Sequence, residues 1–318
     1  VKKIIALAAI LAVALHLALP WHSLRAAWDI DPDLGRLLLL ELRLPRVLLA
    51  LGYGAALGVA GAALQAVFAN PLASPDISGA STGAALGAVL GGYWLGLTQP
   101  LALAACGAAG ALAALALLIV LAGRRAEPAT LLLAGLAISL AAGAVTSLAL
   151  ALAPSPFAFY DSFDWLMGSF VDRSFGQVAA ALLPATVAVL LLLRRASALD
   201  LFALGEDVAA SSGLRPRKLS LEVIALSAVA VGACVAVAGA IGFVGLIAPV
   251  LARKLSRGHP GRAMAPAASI GALLLVCADL IVRAVPLDRP IPVGVLTALL
   301  GTPLFIWLVV GMRRSMTA

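Results

Sequence analysis

An all-α polytopic membrane protein is the fold class this sequence predicts, and three observations predict it. Hydrophobic residues make up 63% of the 318 residues and charged ones only 12%, with a mean hydropathy of +1.09. Apolar runs of bilayer length recur along the chain, and a helix needs about 20 such residues to cross a hydrocarbon layer of roughly 30 Å. When those runs alternate across a membrane, most of the basic residues collect on one side. A water-soluble chain of this size could not hide so much apolar surface.

The elements follow in order. Lys2-Lys3 and the apolar run to Leu19 resemble a signal peptide, but no Ala-x-Ala site precedes the polar stretch and many runs follow, so an uncleaved first helix is expected. Ten spans are predicted, at about 4–20, 46–68, 77–96, 101–122, 129–152, 177–193, 220–240, 242–255, 265–284 and 293–312. The eighth is short and glycine-rich and the third is interrupted by polar residues, a pattern common in cavity-lining transporter helices. With the N-terminus in the cytoplasm, 15 basic residues face inward and 7 outward, which supports an even count with both termini cytoplasmic. Residues 46–152 and 220–312 each supply four spans, so two related helix groups are expected within one permease domain covering 1–318. The 30 glycines and many alanines point to close helix packing.

Several functions are disfavoured. A pI near 9.9 could suggest nucleic acid, but the charges lie between spans, where orientation explains them. Cys106, Cys234 and Cys277 sit in apolar runs without ligand spacing and read as packing residues. His16, His22 and His259 are too dispersed for a shared metal site. No Walker lysine loop and no nucleophile–base set appears, so the chain reads as a non-enzyme with no cofactor of its own. An ion-coupled secondary carrier would need buried ionisable residues, of which few lie mid-span.

Four segments carry the functional expectations. The longest inner segment, within 196–219, reads as two short helices: Asp200 capping one from Leu201, and Gly205-Glu206 opening another that Gly213 stops. Their apolar side, the acidic Glu206 and Asp207 and the basic Arg215, Arg217 and Lys218 suit a docking partner, with a connector at the headgroups as the alternative. In Gln65–Ser81, Asn70-Pro71 ends one span, Ser74-Pro75 delays the next and Asp76 can cap it; Gln65 suits interhelical packing or a pathway equally. Asp279 and Arg283, four apart, read as a structural ion pair, with contact to cargo as the alternative. On the outer side, Arg43 and Arg46 flank Pro45, and Arg289 precedes the last span; each suits a carboxylate of a soluble partner or an interfacial anchor. The outer loop 154–176 holds an aromatic group, Phe157 to Phe170, that suggests an interfacial belt, with a cover over the outer mouth as the alternative.

The chain resembles the iron-complex/vitamin B12 (FecCD-type) permeases of ATP-binding-cassette importers. The resemblance covers about 36–312 and rests on LRLPRVLLAL (42–51), GAALGVAGAALQAVFANPLASPDISGASTGAALGA (54–88), LLLAGLAIS (131–139), WLMGSF (165–170), LGEDVAASSGL (204–214), AGAIGFVGLIAP (238–249) and IPVGVLTALLGTPLFIWL (291–308). It implies a BtuC-like type II permease in the bacterial inner membrane, paired with a second copy, two cytoplasmic ATPase subunits that hold ATP and Mg, and a periplasmic binding protein. It further implies ATPase coupling by Leu204, Gly205, Glu206, Asp207, Ala210, Gly213 and Leu214, and binding-protein docking by Arg43, Arg46 and Arg289. Gln65, Asn70, Pro71, Gly242, Gly245 and Pro249 would form the pathway or gate. The implied cargo is an iron complex (ferric siderophore or haem), with cobalamin as the alternative. Val250, Pro290 and Ser212 depart from the family pattern.

Overall fold

A computed structural model describes residues 2–123, 128–153, 165–284 and 291–316, and the regular elements in them are all helical. Lipid offers backbone groups no partner, and a helix satisfies its own. In chain order the helices are α1 (Lys2–Ala18), α2 (Trp21–Ile30), α3 (Pro32–Leu37), α4 (Leu44–Val67), α5 (Ala80–Val89), α6 (Pro100–Ala122), α7 (Pro128–Ala151) and α8 (Phe175–Arg194). They continue with α9 (Ala196–Phe202), α10 (Glu206–Ser211), α11 (Pro216–Ala238), α12 (Val244–Leu255), α13 (Pro260–Ala284) and α14 (Val293–Met316). A π-helical turn, Leu38–Arg43, joins α3 to α4, and another, Leu90–Trp94, extends α5.

Among the described residues six helices are long and apolar enough to cross a membrane, or seven if Ile10–Ala18 and Trp21–Ile30, bent by 51°, form one span. Of the other expected spans, 293–312 counts only as a shorter apolar helix, Val293–Ile306, over the described residues searched, and two fall short for local reasons. The run 77–96 keeps only ten α-helical residues in α5, because Asn70-Pro71 and Ser74-Pro75 hold the chain in turns as far as Gly79. The run 242–255 yields the 12-residue α12, because α11 closes at Gly239, φ 76°, and the chain re-enters a helix only at Val244. The second span is instead longer than expected, running continuously from Pro32 to Val67.

That long helix is central. Of its most apolar stretch 78% is buried, against 33% for α6, α7 and α8, whose outward leucines suit lipid. Glycine sets the interhelical distances. A Cβ on Gly58 would stand 2.1 Å from the Ala267 carbonyl oxygen of α13, and one on Gly61 1.8 Å from that of Gly245 in α12. No side chain fits there, so α4 packs backbone to backbone. Likewise α6 meets α11 at Gly107 and Gly232. The two expected four-span groups therefore interleave: α4 and α6 of the first pack on α13 and α11 of the second.

Candidate functional site

At the end of the bundle where α4 starts and α13 finishes, a buried charge cluster joins three helices. Arg46 Nε and Nη2 both donate to the Asp279 carboxylate at 2.7 Å, and Asp279 is fully buried. His16 Nε2 lies 2.5 Å from the same carboxylate and its Nδ1 lies 3.2 Å from Arg283 Nη1. A guanidinium only donates, so Nδ1 is the acceptor and the His16 proton sits on Nε2, facing Asp279. The expected direct Asp279–Arg283 pair is thus corrected: Asp279 pairs with Arg46, and His16 stands between Asp279 and Arg283. Helix spacing put Asp279 and Arg283 on one face, but the tertiary packing supplied closer partners.

Arg283 and Arg43 serve the end of α1. Arg283 donates to the carbonyl oxygens of His16 (2.8 Å) and Leu19, and Arg43 to those of Leu17 (2.6 Å) and Pro20 (3.1 Å) and to Ser23 Oγ (3.0 Å). The last carbonyls of a helix lack intrahelical partners and favour cations. Arg43 is only 4% exposed. The docking role expected for it does not match this geometry, because its donors are committed inside the chain. Arg46 is mostly enclosed as well. Arg289 and Pro290 lie outside the described residues, as do Phe157, Phe159, Tyr160 and Phe163. Of the aromatic group, Phe170 is fully buried and Trp165 donates its indole N–H to the Val237 carbonyl, so these two pack inward and do not form a belt.

Between α4 and α12, Gln65 meets part of the glycine-rich segment. Gln65 Nε2 donates to the Leu246 carbonyl at 3.3 Å, while its buried Oε1 has no partner. Gly245 abuts Pro75, and Pro249 abuts Gly61. Asn70 and Pro71 sit in the turn below, where Asn70 Oδ1 accepts from the Leu72 amide at 2.9 Å. Asp76 does not cap α5; Gly79, φ 84°, holds the N-cap position, and Asp76 Oδ1 instead accepts from the Ser81 hydroxyl at 2.6 Å. Its Oδ2 is buried without a partner and faces Gly242. Burial pushes the Asp76 carboxyl up to about 6, opposed by the Ser81 hydroxyl bond and the nearby Phe243 backbone. Phe243 itself is strained: at φ 67° it occupies the left-handed region, packed against Gly301 and 6.4 Å from the Phe305 ring. Nothing in the local sequence marks Phe243 for that conformation.

At the opposite end, α9 and α10 form a short helical pair. Leu199, Phe202 and Ala209 anchor it beneath, and Leu204, Gly205, Glu206, Asp207, Ala210 and Gly213 are exposed, with Leu214 half-buried. Gly205 (φ 116°) and Gly213 (φ 85°) bound α10, as expected. Asp200 departs from expectation: it lies late in α9, which starts at Ala196, and its Oδ1 accepts from the Gly261 amide at 2.7 Å, capping α13 across the interface. His16, Tyr53 (bonded to the Gly239 carbonyl at 3.2 Å) and Asp200 are the residues whose partners sequence reasoning missed. An ionisable side chain inside an apolar span was the available signal for His16. Among the described residues no group of three or more His, Cys, Asp or Glu could hold a metal ion.

The sequence model of the FecCD transport family matches residues 4–311. The vitamin B12 import system permease protein BtuC of Vibrio cholerae is 40% identical, covering 91% of this chain and 87% of its own length. The Fe(3+) dicitrate transport system permease protein FecD of Escherichia coli is 36% identical, covering 97% of each chain. Among solved structures, one described as an inward-facing conformation of a metal-chelate type ABC transporter superposes with a TM-score of 0.82 at 30% identity, covering 96% of both chains.

Proposed function

The chain belongs to the FecCD transport family, and we propose that it is the permease subunit of an ATP-driven importer that moves an iron complex, a ferric siderophore or haem, from periplasm to cytoplasm. Cobalamin is the second reading, favoured by the 40% identity to the V. cholerae vitamin B12 permease. The subunit is non-catalytic: hydrolysis, with ATP and Mg, belongs to two separate cytoplasmic subunits, and a second copy of this chain completes the pathway. A periplasmic binding protein delivers the cargo. The proposed topology is ten spans in the inner membrane with both termini cytoplasmic, supported by the 15 to 7 division of basic residues.

In this reading α9 and α10 couple the ATPases to the bundle, and what supports it is one observation. Leu204 and Val208 are 67% and 44% exposed beside the free acidic pair Glu206 and Asp207, on a platform fixed to α13 by Asp200. Apolar side chains next to charges on a rigid base suit a protein partner. Closure of the ATPases would push this platform, and α13 and α4 would carry the motion to Gln65, Asn70, Pro71, Gly242, Gly245 and Pro249. The cavity would then exchange its two openings. Arg289 is the proposed contact for binding-protein carboxylates, since the donors of Arg43 and Arg46 are taken up within the chain.

The test is co-purification in mild detergent followed by mass spectrometry. A stoichiometric ATP-binding subunit, lost on joint Glu206→Lys and Asp207→Lys substitution while the melting temperature holds, is the expected result. A stable protein that retains no ATPase in several detergents would favour an ion-coupled carrier instead. Uptake of radiolabelled ferric siderophore against labelled cyanocobalamin by the assembled complex separates the two cargo readings.

A further inference from the structure

A cavity of about 330 Å³ lies at the Arg46–Asp279 end of the bundle, between the π turn after α5, the starts of α6 and α8 and the end of α11. Its size is at the small end for ligand pockets, room for about ten water molecules. Its walls are mixed: Trp165, Leu103 and Val237 are apolar, while Thr98, Gln177 and Arg173 are polar. Among the described residues no acidic side chain lines it.

Arg173 is the feature that needs explaining. Its Nε is buried and has no hydrogen-bond partner, and among the described residues it forms no ion pair. Asp172, the nearest acid in sequence, is exposed. Burial lowers the Arg173 guanidinium below its usual range, with Asp172 opposing only in part. A partly buried cation without a partner is costly. Gln177 stands next to it with a complementary bias. Its Oε1 accepts from the Ser174 amide at 2.9 Å in the capping box that starts α8, which leaves the side-chain NH2 to donate. The positive end of the α8 dipole adds to the same potential.

We propose that this cavity binds an amphiphilic oxyanion, whose carboxylate or phosphate group meets Arg173 and Gln177 and whose short apolar part lies against Trp165, Leu103 and Val237. A planar guanidinium donates two parallel bonds to either group. The same chemistry could come from the phosphate of a phospholipid or from a free short-chain carboxylate.

Native mass spectrometry of the full chain in a non-ionic detergent tests this, with phosphatidylglycerol or hexanoate added at matched concentrations. Wild type is expected to retain one equivalent of one probe, and Arg173→Gln to weaken retention about tenfold or more, the scale of a charge-assisted bond. Gly92→Leu provides a second variant. A Cβ there meets only Leu103 Cδ2 at 3.6 Å, so a larger side chain can enter the cavity from the wall and reduce its volume while the Arg173 charge is kept. Arg25→Gln, which removes the same charge from an exposed position, should leave retention unchanged. Phosphatidylglycerol adducts sensitive to both cavity variants identify the lipid phosphate as the source; hexanoate adducts with that sensitivity identify a free carboxylate. No adduct of either probe in wild type, or equal adducts in wild type and Gly92→Leu, would overturn the proposal.

Discussion

Replacing Asp279 with leucine should be among the most damaging single changes at the end of the bundle where α4 starts and α13 finishes. The carboxylate accepts two bonds from Arg46 and one from His16, at 2.7, 2.7 and 2.5 Å, and none of its side chain is exposed. Asp279→Leu leaves the Arg46 guanidinium, 15% exposed, without a counter-charge, and the fully buried His16 N–H without an acceptor. Breaking a buried pair from one side costs about 3–5 kcal/mol, mostly because the remaining charge is stranded. Removing both charges together, as Arg46→Met with Asp279→Leu, should cost only about 1–3 kcal/mol, the penalty of the His16 donor that is still orphaned. Adding His16→Leu should recover part of that. Unfolding in mixed dodecyl maltoside and dodecyl sulfate micelles, followed by tryptophan fluorescence, measures each step. A single substitution costing under about 1 kcal/mol, or a double variant equal to the sum of its singles, would refute the cluster as an interacting unit.

Three further outcomes follow from the same structure. Gly58→Val should lower the melting temperature sharply and Gly143→Ala should not: a Cβ at 58 meets the Ala267 carbonyl oxygen at 2.1 Å, whereas one at 143 meets nothing within 4 Å. The first is overpacking of about 1–3 kcal/mol or more, while the second gains up to about 1 kcal/mol of helix propensity. The Asp76 carboxyl is raised from 3.8 to about 6, so the native state holds its proton longer than the unfolded chain; its contribution is most favourable below pH 3.8 and is lost as pH rises to about 6. Melting temperatures from pH 4 to 7 should therefore fall more in wild type than in Asp76→Asn, and parallel curves would count against the burial argument. Glu222→Gln, which removes an exposed pair with Arg195 at 2.7 Å, should change stability by under about 1 kcal/mol in the same micelle titration.

The membrane class, the helical positions of the long spans and both bounds of α10 were legible in the chain, because they depend on apolar length and on glycine and proline at helix ends. So was the need of Gln65 for a partner on another helix, since a polar side chain one turn inside a membrane finds none in lipid; that the partner is the Leu246 carbonyl of α12 was not. The ion-pair partners were not legible. Asp279 and Arg283 satisfy the spacing rule for one helix face, yet Arg46 and His16, 233 and 263 residues away in sequence, reach the carboxylate. Asp200 and Asp76 showed the same limit: each carries the chemistry of a cap, but the backbone or hydroxyl group it meets was settled by which element packed beside it.

The sequence by itself determined that this protein lives in lipid, that it is built from helices, and which family it belongs to, since hydropathy and ordered motifs are local properties of the chain. Only the tertiary structure decided that α4 runs through the centre, that Arg43 turns inward to the end of α1, and that Arg173 and Gln177 line one cavity. Those facts depend on close backbone approach at Gly58 and Gly61 and on which buried charges find one another, and neither quantity is carried by any single stretch of residues.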